Sequence, residues 1–132
     1  MEPGIKGINK TICSEENCAA AVGSGSLPVF ATPSMIALME KAACESVQPY
    51  VGEGNTTVGT LMEVSHLSAT PIGCTVTAES TLETVEGRKL CFHVRAYDDA
   101  GLIGEGSHER VIVEIARFMR SAEKKRTPSS EI

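Results

Sequence analysis

Glu40 is the residue whose setting asks most plainly for chemistry. It lies within ATPSMIALMEKAACESVQP, residues 31–49, where apolar side chains recur at helical spacing. At about 100° per residue, with Ile36 as origin, Thr32, Met39, Glu40, Ala43 and Val47 fall within about 60° of it and form one stripe. Lys41 and Glu45 fall opposite, with attractive charges spaced i,i+4, and mark the solvent face. Glu40 is therefore predicted to point inward. A lone ionised carboxylate on a buried face is costly unless it is paired, hydrogen-bonded or next to water. Two readings follow. Glu40 sits at the edge of the stripe and bonds a neighbouring strand or subunit, or it is a general base or nucleophile in a cleft.

The other candidates are weaker taken alone. Thr32 before Pro33 has the pattern of a helix start, with the hydroxyl as N-cap and proline in the first turn. Gln48 and Pro49 close the helix. His66 is a strand-end histidine, His108 is expected to serve structure or pocket shape, and Arg110 is a strand-surface cation or a ligand contact. The five cysteines, Cys13, Cys18, Cys44, Cys74 and Cys91, are odd in number and contain no C-x-x-C, which predicts free thiols in a reducing compartment. Cys13 and Cys18 lack partners at ligand spacing, and no other His or carboxylate grouping has zinc-site spacing, so no metal is expected.

Length and charge bound the class. A chain of 132 residues is a normal single domain, placed here over residues 1–120 with a charged, disordered tail over 121–132. The net charge of −5, with no basic cluster in the body of the chain, argues against nucleic acid. Lys124, Lys125 and Arg126 form a short basic run in the tail. The N-terminus MEPGIKGINK has no apolar h-region and no stretch is long enough to span a bilayer, so a soluble cytoplasmic protein is expected, with no membrane partner.

These residues need elements to position them. Residues 4–12 are read as an edge strand, and 17–30 as a flexible loop that passes from small apolar residues into Gly-Ser-Gly-Ser, placed where it could cover the helix N-terminus. After the helix, Gly52-Glu53-Gly54-Asn55 turns into a β-branched strand that ends at His66. In TVTAESTLETVE, Val76, Ala78 and Leu82 take one face and Thr75, Thr77, Glu79 and Glu83 the other. Glu86-Gly87 reverses the chain into RKLCFHVRAYDD, where Leu90, Phe92, Val94 and Ala96 alternate with Lys89, His93 and Arg95. LIGEGSHERVIVEIARF is read as a last long strand. Its Gly104 and Gly106 share a face and predict close approach of another backbone, expected to be the helix with its small Ala37, Ala42 and Ala43. One helix and an antiparallel sheet that curls around it give an α+β fold.

The motifs themselves resemble the fluoroacetyl-CoA thioesterase family of hot-dog fold proteins. The matching pieces are VFAT (29–32), MIALME (35–40), Ser65-His66, ATP-x-G-x-TVTAE (69–79), VEGRKL (85–90) and GSHER (106–110), in family order and at nearly family spacing. The resemblance implies a catalytic triad of Thr32, Glu40 and His66, and places Gly59 and Arg110 in the acyl pocket. It implies a thioester hydrolase with coenzyme A as part of the substrate and no separate cofactor. It also implies a homodimer joined at sheet edges with sites at the interface.

One departure concerns specificity. The family's lid carries two phenylalanines before VFAT, whereas this chain has Gly-Ser-Gly-Ser-Leu, with Ser24 and Leu27 as the nearest counterparts. The expected substrate is therefore a short acyl-CoA other than the fluorinated one. A non-catalytic acyl-CoA or small-ligand binding protein is the alternative, and a dehydratase acting on a hydroxyacyl group is a third reading.

Overall fold

The computed structural model describes residues 1–126. In chain order it contains β1 (Lys6–Ile12), α1 (Ala19–Val22), α2 (Thr32–Val47), a 3-10 turn (Gln48–Tyr50), β2 (Asn55–His66), β3 (Thr75–Glu86), β4 (Lys89–Asp98), β5 (Gly101–Glu114) and α3 (Ile115–Glu123). The strands form one antiparallel sheet in the order β1-β3-β4-β5-β2, so β1 and β2 are its edges. The helix α2 lies across the sheet, as expected of a hot-dog fold.

The core lies between α2 and the inner face of the sheet. Met35, Met39, Ala43 and Val47 of α2 are fully buried against Val76, Ala78 and Leu82 of β3, and Leu90, Phe92, Val94 and Ala96 of β4. The alternation read in β3 and β4 thus gives the buried face, although Thr77, assigned to the wet side, is also buried. Full burial of each Val, Leu, Met or Phe side chain among these stabilises by about 1.5–3 kcal/mol, and of each alanine by less.

The buried arc of α2 is centred nearer Met39 than Ile36. Met35, Leu38 and Ala42 are buried, while Ile36 is half-buried. Glu40 therefore stands on the margin of the arc with its side chain 42% exposed, rather than pointing squarely inward. Thr32 is the first helical residue and not the cap. Ala31 occupies that position with extended backbone and no side-chain cap bond.

The close approach of helix to sheet falls at a glycine that the sequence reading passed over. A Cβ on Gly7 of β1 would collide with the Ala42 carbonyl and lie 2.7 Å from Ser80 Oγ. Gly104 instead faces Met35 Sδ and the Ser65 carbonyl, and Gly106 faces the Glu63 carbonyl of β2. Those two glycines admit the neighbouring strand and one methionine side chain, not the helix backbone.

Two further corrections concern the C-terminal part. The last strand ends at Glu114, and residues 115–123 are helical because Ile115, Phe118, Met119 and Ala122 recur at i, i+3, i+4 and i+7. This helix takes in the first part of the stretch expected to be a disordered tail, and residues 127–132 lie outside the described residues. Residues 19–22, read as loop, form the short helix α1. All five cysteines are free thiols. No helix among the described residues is long and apolar enough to cross a membrane.

Candidate active site

The N-terminus of α2 and the end of β2 meet at a hydroxyl and an imidazole. Thr32 Oγ1 and His66 Nδ1 are 2.7 Å apart. They line an open pocket of about 300 Å³ with Ala19, Ser24, Val29, Phe30, Leu67, Ser68 and Ala69. The walls are held by the chain around them. Phe30 N donates to the Thr70 carbonyl, Ala31 N donates to the Asn17 carbonyl, and the fully buried Thr70 donates its hydroxyl to Asp98 Oδ2 at 2.7 Å. The stretch 19–30 thus does sit over the start of α2, with Ser24 in the wall and Leu27 largely exposed.

His66 Nε2 is buried and has no hydrogen-bond partner among the described residues. Burial lowers the histidine's pKa from its ordinary value of 6.5, with the Ser68 backbone working against that shift. A buried ring nitrogen without a partner costs free energy that a substrate group can recover. The first intrahelical bond runs from Met35 N to the Ala31 carbonyl. The amides of Thr32 and Ser34 are therefore not used by the helix, and of these two residues Thr32 lines the pocket.

Glu40 lies two turns along α2 and lines a different cleft, of about 230 Å³, with Gly59, Thr60, Leu61, Met62 and His108. Within one protomer the three expected triad residues are divided two and one between these pockets. Glu40 Oε2 is 3.7 Å from Arg110 Nη1. A Cβ on Gly59 would lie 2.8 Å from Glu40 Oε2, 3.3 Å from His108 Cε1 and 3.4 Å from Arg110 Nη1. Glycine at this position keeps open the notch on which the three side chains converge.

Arg110 is 6% exposed and so is not a strand-surface cation. Its Nε donates to Thr57 Oγ1 at 2.8 Å and its Nη2 to the Thr57 carbonyl at 3.0 Å. Its Nη1 lies 3.2 Å from His108 Nε2. His108 is 1% exposed, and its Nδ1 lies 2.7 Å from the Leu61 carbonyl. Burial lowers the pKa of His108; the Leu61 carbonyl and Glu40 oppose that shift, and Arg110 adds to it. Thr57 was missed from the sequence. Strand periodicity offered a signal, since His108 and Arg110 must share the inward face of Gly104 and Gly106, and Thr57 is Gly59's neighbour at i−2.

One helix laid on a curved antiparallel sheet, with a hydroxyl and imidazole paired at the helix N-terminus, defines a hot-dog protein of the thioesterase kind. The family profile described as fluoroacetyl-CoA-specific thioesterase matches residues 13–116, and the chain belongs to that family. The fluoroacetyl-CoA thioesterase of Streptantibioticus cattleyicolor is 42% identical over 101 residues, 76% of this chain and 72% of that protein. A variant of the fluoroacetyl-CoA-specific thioesterase FlK, solved with fluoroacetate and CoA, is 33% identical with a TM-score of 0.84, over 89% of this chain and 99% of that one. A thioesterase superfamily member from Thermus thermophilus is 27% identical with a TM-score of 0.90, over 99% of this chain and 97% of the other.

Proposed function

We propose that this protein hydrolyses a short-chain acyl-CoA to the free acid and coenzyme A, with Thr32, Glu40 and His66 as its catalytic residues. The observation that carries the reading is the Thr32–His66 pair at the start of α2, with His66 Nε2 buried and unbonded. Membership of a thioesterase family, one of whose members has been solved with CoA and fluoroacetate, supports the substrate class.

The chemistry follows from the groups present. The thioester carbonyl oxygen takes the negative charge of the tetrahedral intermediate, and the amide of Thr32, which lines the pocket and is not used by the helix, is a donor suited to it. Glu40 supplies the carboxylate, which either removes a proton from the attacking water or attacks the carbonyl itself. His66 Nε2 hands a proton to the departing CoA thiolate and recovers one from the water that is consumed, directly or by way of Glu40, so the proton balance closes over the cycle. Gly59 and Arg110 shape the acyl end of the site. Every group in this scheme belongs to the chain, and no cofactor enters it.

The division of the triad between two pockets supports a homodimer in which each site draws on both protomers. Gly59 and His66 are separated along β2 by about 23 Å at 3.3 Å per residue. The outer edge of β2 is unpaired and carries the exposed Leu61, a surface suited to pairing with a second copy. Two-fold antiparallel pairing sets the end of one β2 beside the middle of the other, which brings His66 toward Glu40 of the partner subunit. A cytoplasmic setting is part of this reading, favoured by five cysteines that are all free thiols.

A panel of acyl-CoAs assayed for free thiol release tests the proposal. Turnover on short acyl groups is expected. Tight acyl-CoA binding without thiol release would favour the binding-protein reading, and loss of water from a hydroxyacyl-CoA would favour a dehydratase.

A further inference from the structure

We infer that His108 is a positioning residue, whose Nε2 lone pair fixes the outer guanidinium nitrogen of Arg110 beside Glu40. The inference rests on the proposed hydrolase reading and names a residue to which that reading gives no part.

The argument begins in the backbone of β2. Between Gly59 and Leu61 the pairing with β5 shifts by one residue, so Thr60 is the extra residue of a β-bulge, and its hydroxyl donates to the Glu109 carbonyl at 3.2 Å. Beside this irregularity the Leu61 carbonyl meets His108 Nδ1 at 2.7 Å. A carbonyl can only accept, so Nδ1 carries the proton, and Nε2 of the neutral ring presents a lone pair. That lone pair faces Arg110 Nη1, which can only donate. The polarity of the relay is thus fixed from end to end.

The ring has no freedom to leave this arrangement. It is almost wholly buried and stacked on Phe92, with centroids 6.0 Å apart and planes at 30°. Arg110 is held on its other side by the two Thr57 bonds. A guanidinium fixed at three points keeps its remaining Nη1 edge at the Gly59 notch, 3.7 Å from Glu40 Oε2. Glu40 is half exposed, and among the described residues its carboxylate meets only the Arg110 cation, so the position of that cation decides where the carboxylate is drawn. A space-filling role for His108 would need neither the Leu61 nor the Arg110 contact.

The two amide side chains separate these roles. Gln at 108 can place an oxygen near the Nε2 position and keep an acceptor for Arg110, while Asn reaches only the Nδ1 position and keeps the donor to Leu61. On the short acyl-CoA hydrolysed fastest by the wild-type protein, His108→Asn is expected to lower kcat roughly 10- to 100-fold with little change in KM. His108→Gln is expected to recover most of that loss at a similar melting temperature. In an Arg110→Gln background, His108→Asn is expected to cost almost nothing further, because the group it acts through is gone. Equal losses in His108→Asn and His108→Gln, or additive losses with Arg110→Gln, would overturn the inference while leaving the hydrolase reading intact. A wild-type protein that releases no thiol from any acyl-CoA would overturn both.

Discussion

Thr32 and His66 are 34 positions apart in the chain and are joined through a 2.7 Å hydrogen bond. The hydroxyl is not used to cap the helix it begins, because Ala31 holds that position. Thr32→Val should therefore leave the melting temperature nearly unchanged, as for other exposed positions, while it lowers kcat/KM for acyl-CoA hydrolysis by about tenfold or more. Thr32→Ser should retain most activity. Equal activity of the Val variant would remove the hydroxyl from the mechanism.

Glu40→Gln keeps the shape and hydrogen-bonding capacity of the side chain but removes the basic carboxylate. A kcat loss of about 10²–10⁴-fold is expected if Glu40 acts as general base. The side chain is 42% exposed, so the fold should tolerate the change. Melting temperature and thiol release on the same purified variant check both statements, and wild-type turnover would exclude Glu40 from the chemistry.

Mixing two inactive variants reports which protomer supplies each group. If a site combines Thr32 and His66 of one protomer with Glu40 of the partner subunit, a mixed dimer of Glu40→Gln and His66→Ala contains one intact site. Random reassociation should then restore roughly a quarter of wild-type activity. Sites complete within one protomer would give no recovery.

Stability should fall on the acid side of neutrality. Burial lowers the pKa of both His66 and His108 below the ordinary 6.5, so the unfolded chain binds protons that the folded chain resists. Their contribution is present above 6.5 and is lost as pH falls through the depressed folded values. Asp98 adds a lower window. The Thr70 hydroxyl lowers its pKa below the ordinary 3.8, against a smaller opposing effect of burial, so its contribution is lost as pH falls below that value. Melting temperature against pH should show both limbs, and Thr70→Val should flatten the lower one.

Discrimination between fluoroacetyl-CoA and acetyl-CoA should be weak. Ser24 lines the pocket and Leu27 is 63% exposed, so the segment over the site presents little apolar surface to exclude water from the acyl group. Comparison of kcat/KM for the two substrates is the check, and a strong preference for the fluorinated one would place selectivity elsewhere.

Much of this was legible before the fold was known. The alternations Leu90, Phe92, Val94, Ala96 and Val76, Ala78, Leu82 gave the buried face of the sheet, because a strand's side-chain period is two residues. The long helix was equally plain, but its exact azimuth was not. Ile36 and Glu40 differ from Met35 and Met39 by one step of the wheel, and only the sheet decides which pair faces it. The helix after Glu114 was hidden because Val111, Ile112, Val113 and Ile115 read as one β-branched run. The anchoring of Arg110 by Thr57 and His108 was legible only in part: periodicity puts the three on inward faces but does not say that they meet. It joins residues 53 positions apart through a bulge, and a bulge leaves no mark in hydrophobic spacing.

That bulge at Thr60 inverts the parity of β2. Before it, the odd-numbered Thr57 and Gly59 face the helix; after it, the even-numbered Met62 and Val64 pack toward the core and His66 reaches Thr32. An uninterrupted strand that aimed Gly59 at Glu40 would have turned His66 to the outer surface. The extra residue thus acts as a half-turn in the strand's addressing, which puts a notch for the carboxylate and an imidazole for the hydroxyl on the same concave wall. Deleting Thr60 would not shorten the site by one residue but would exchange the inside and outside of one half of it.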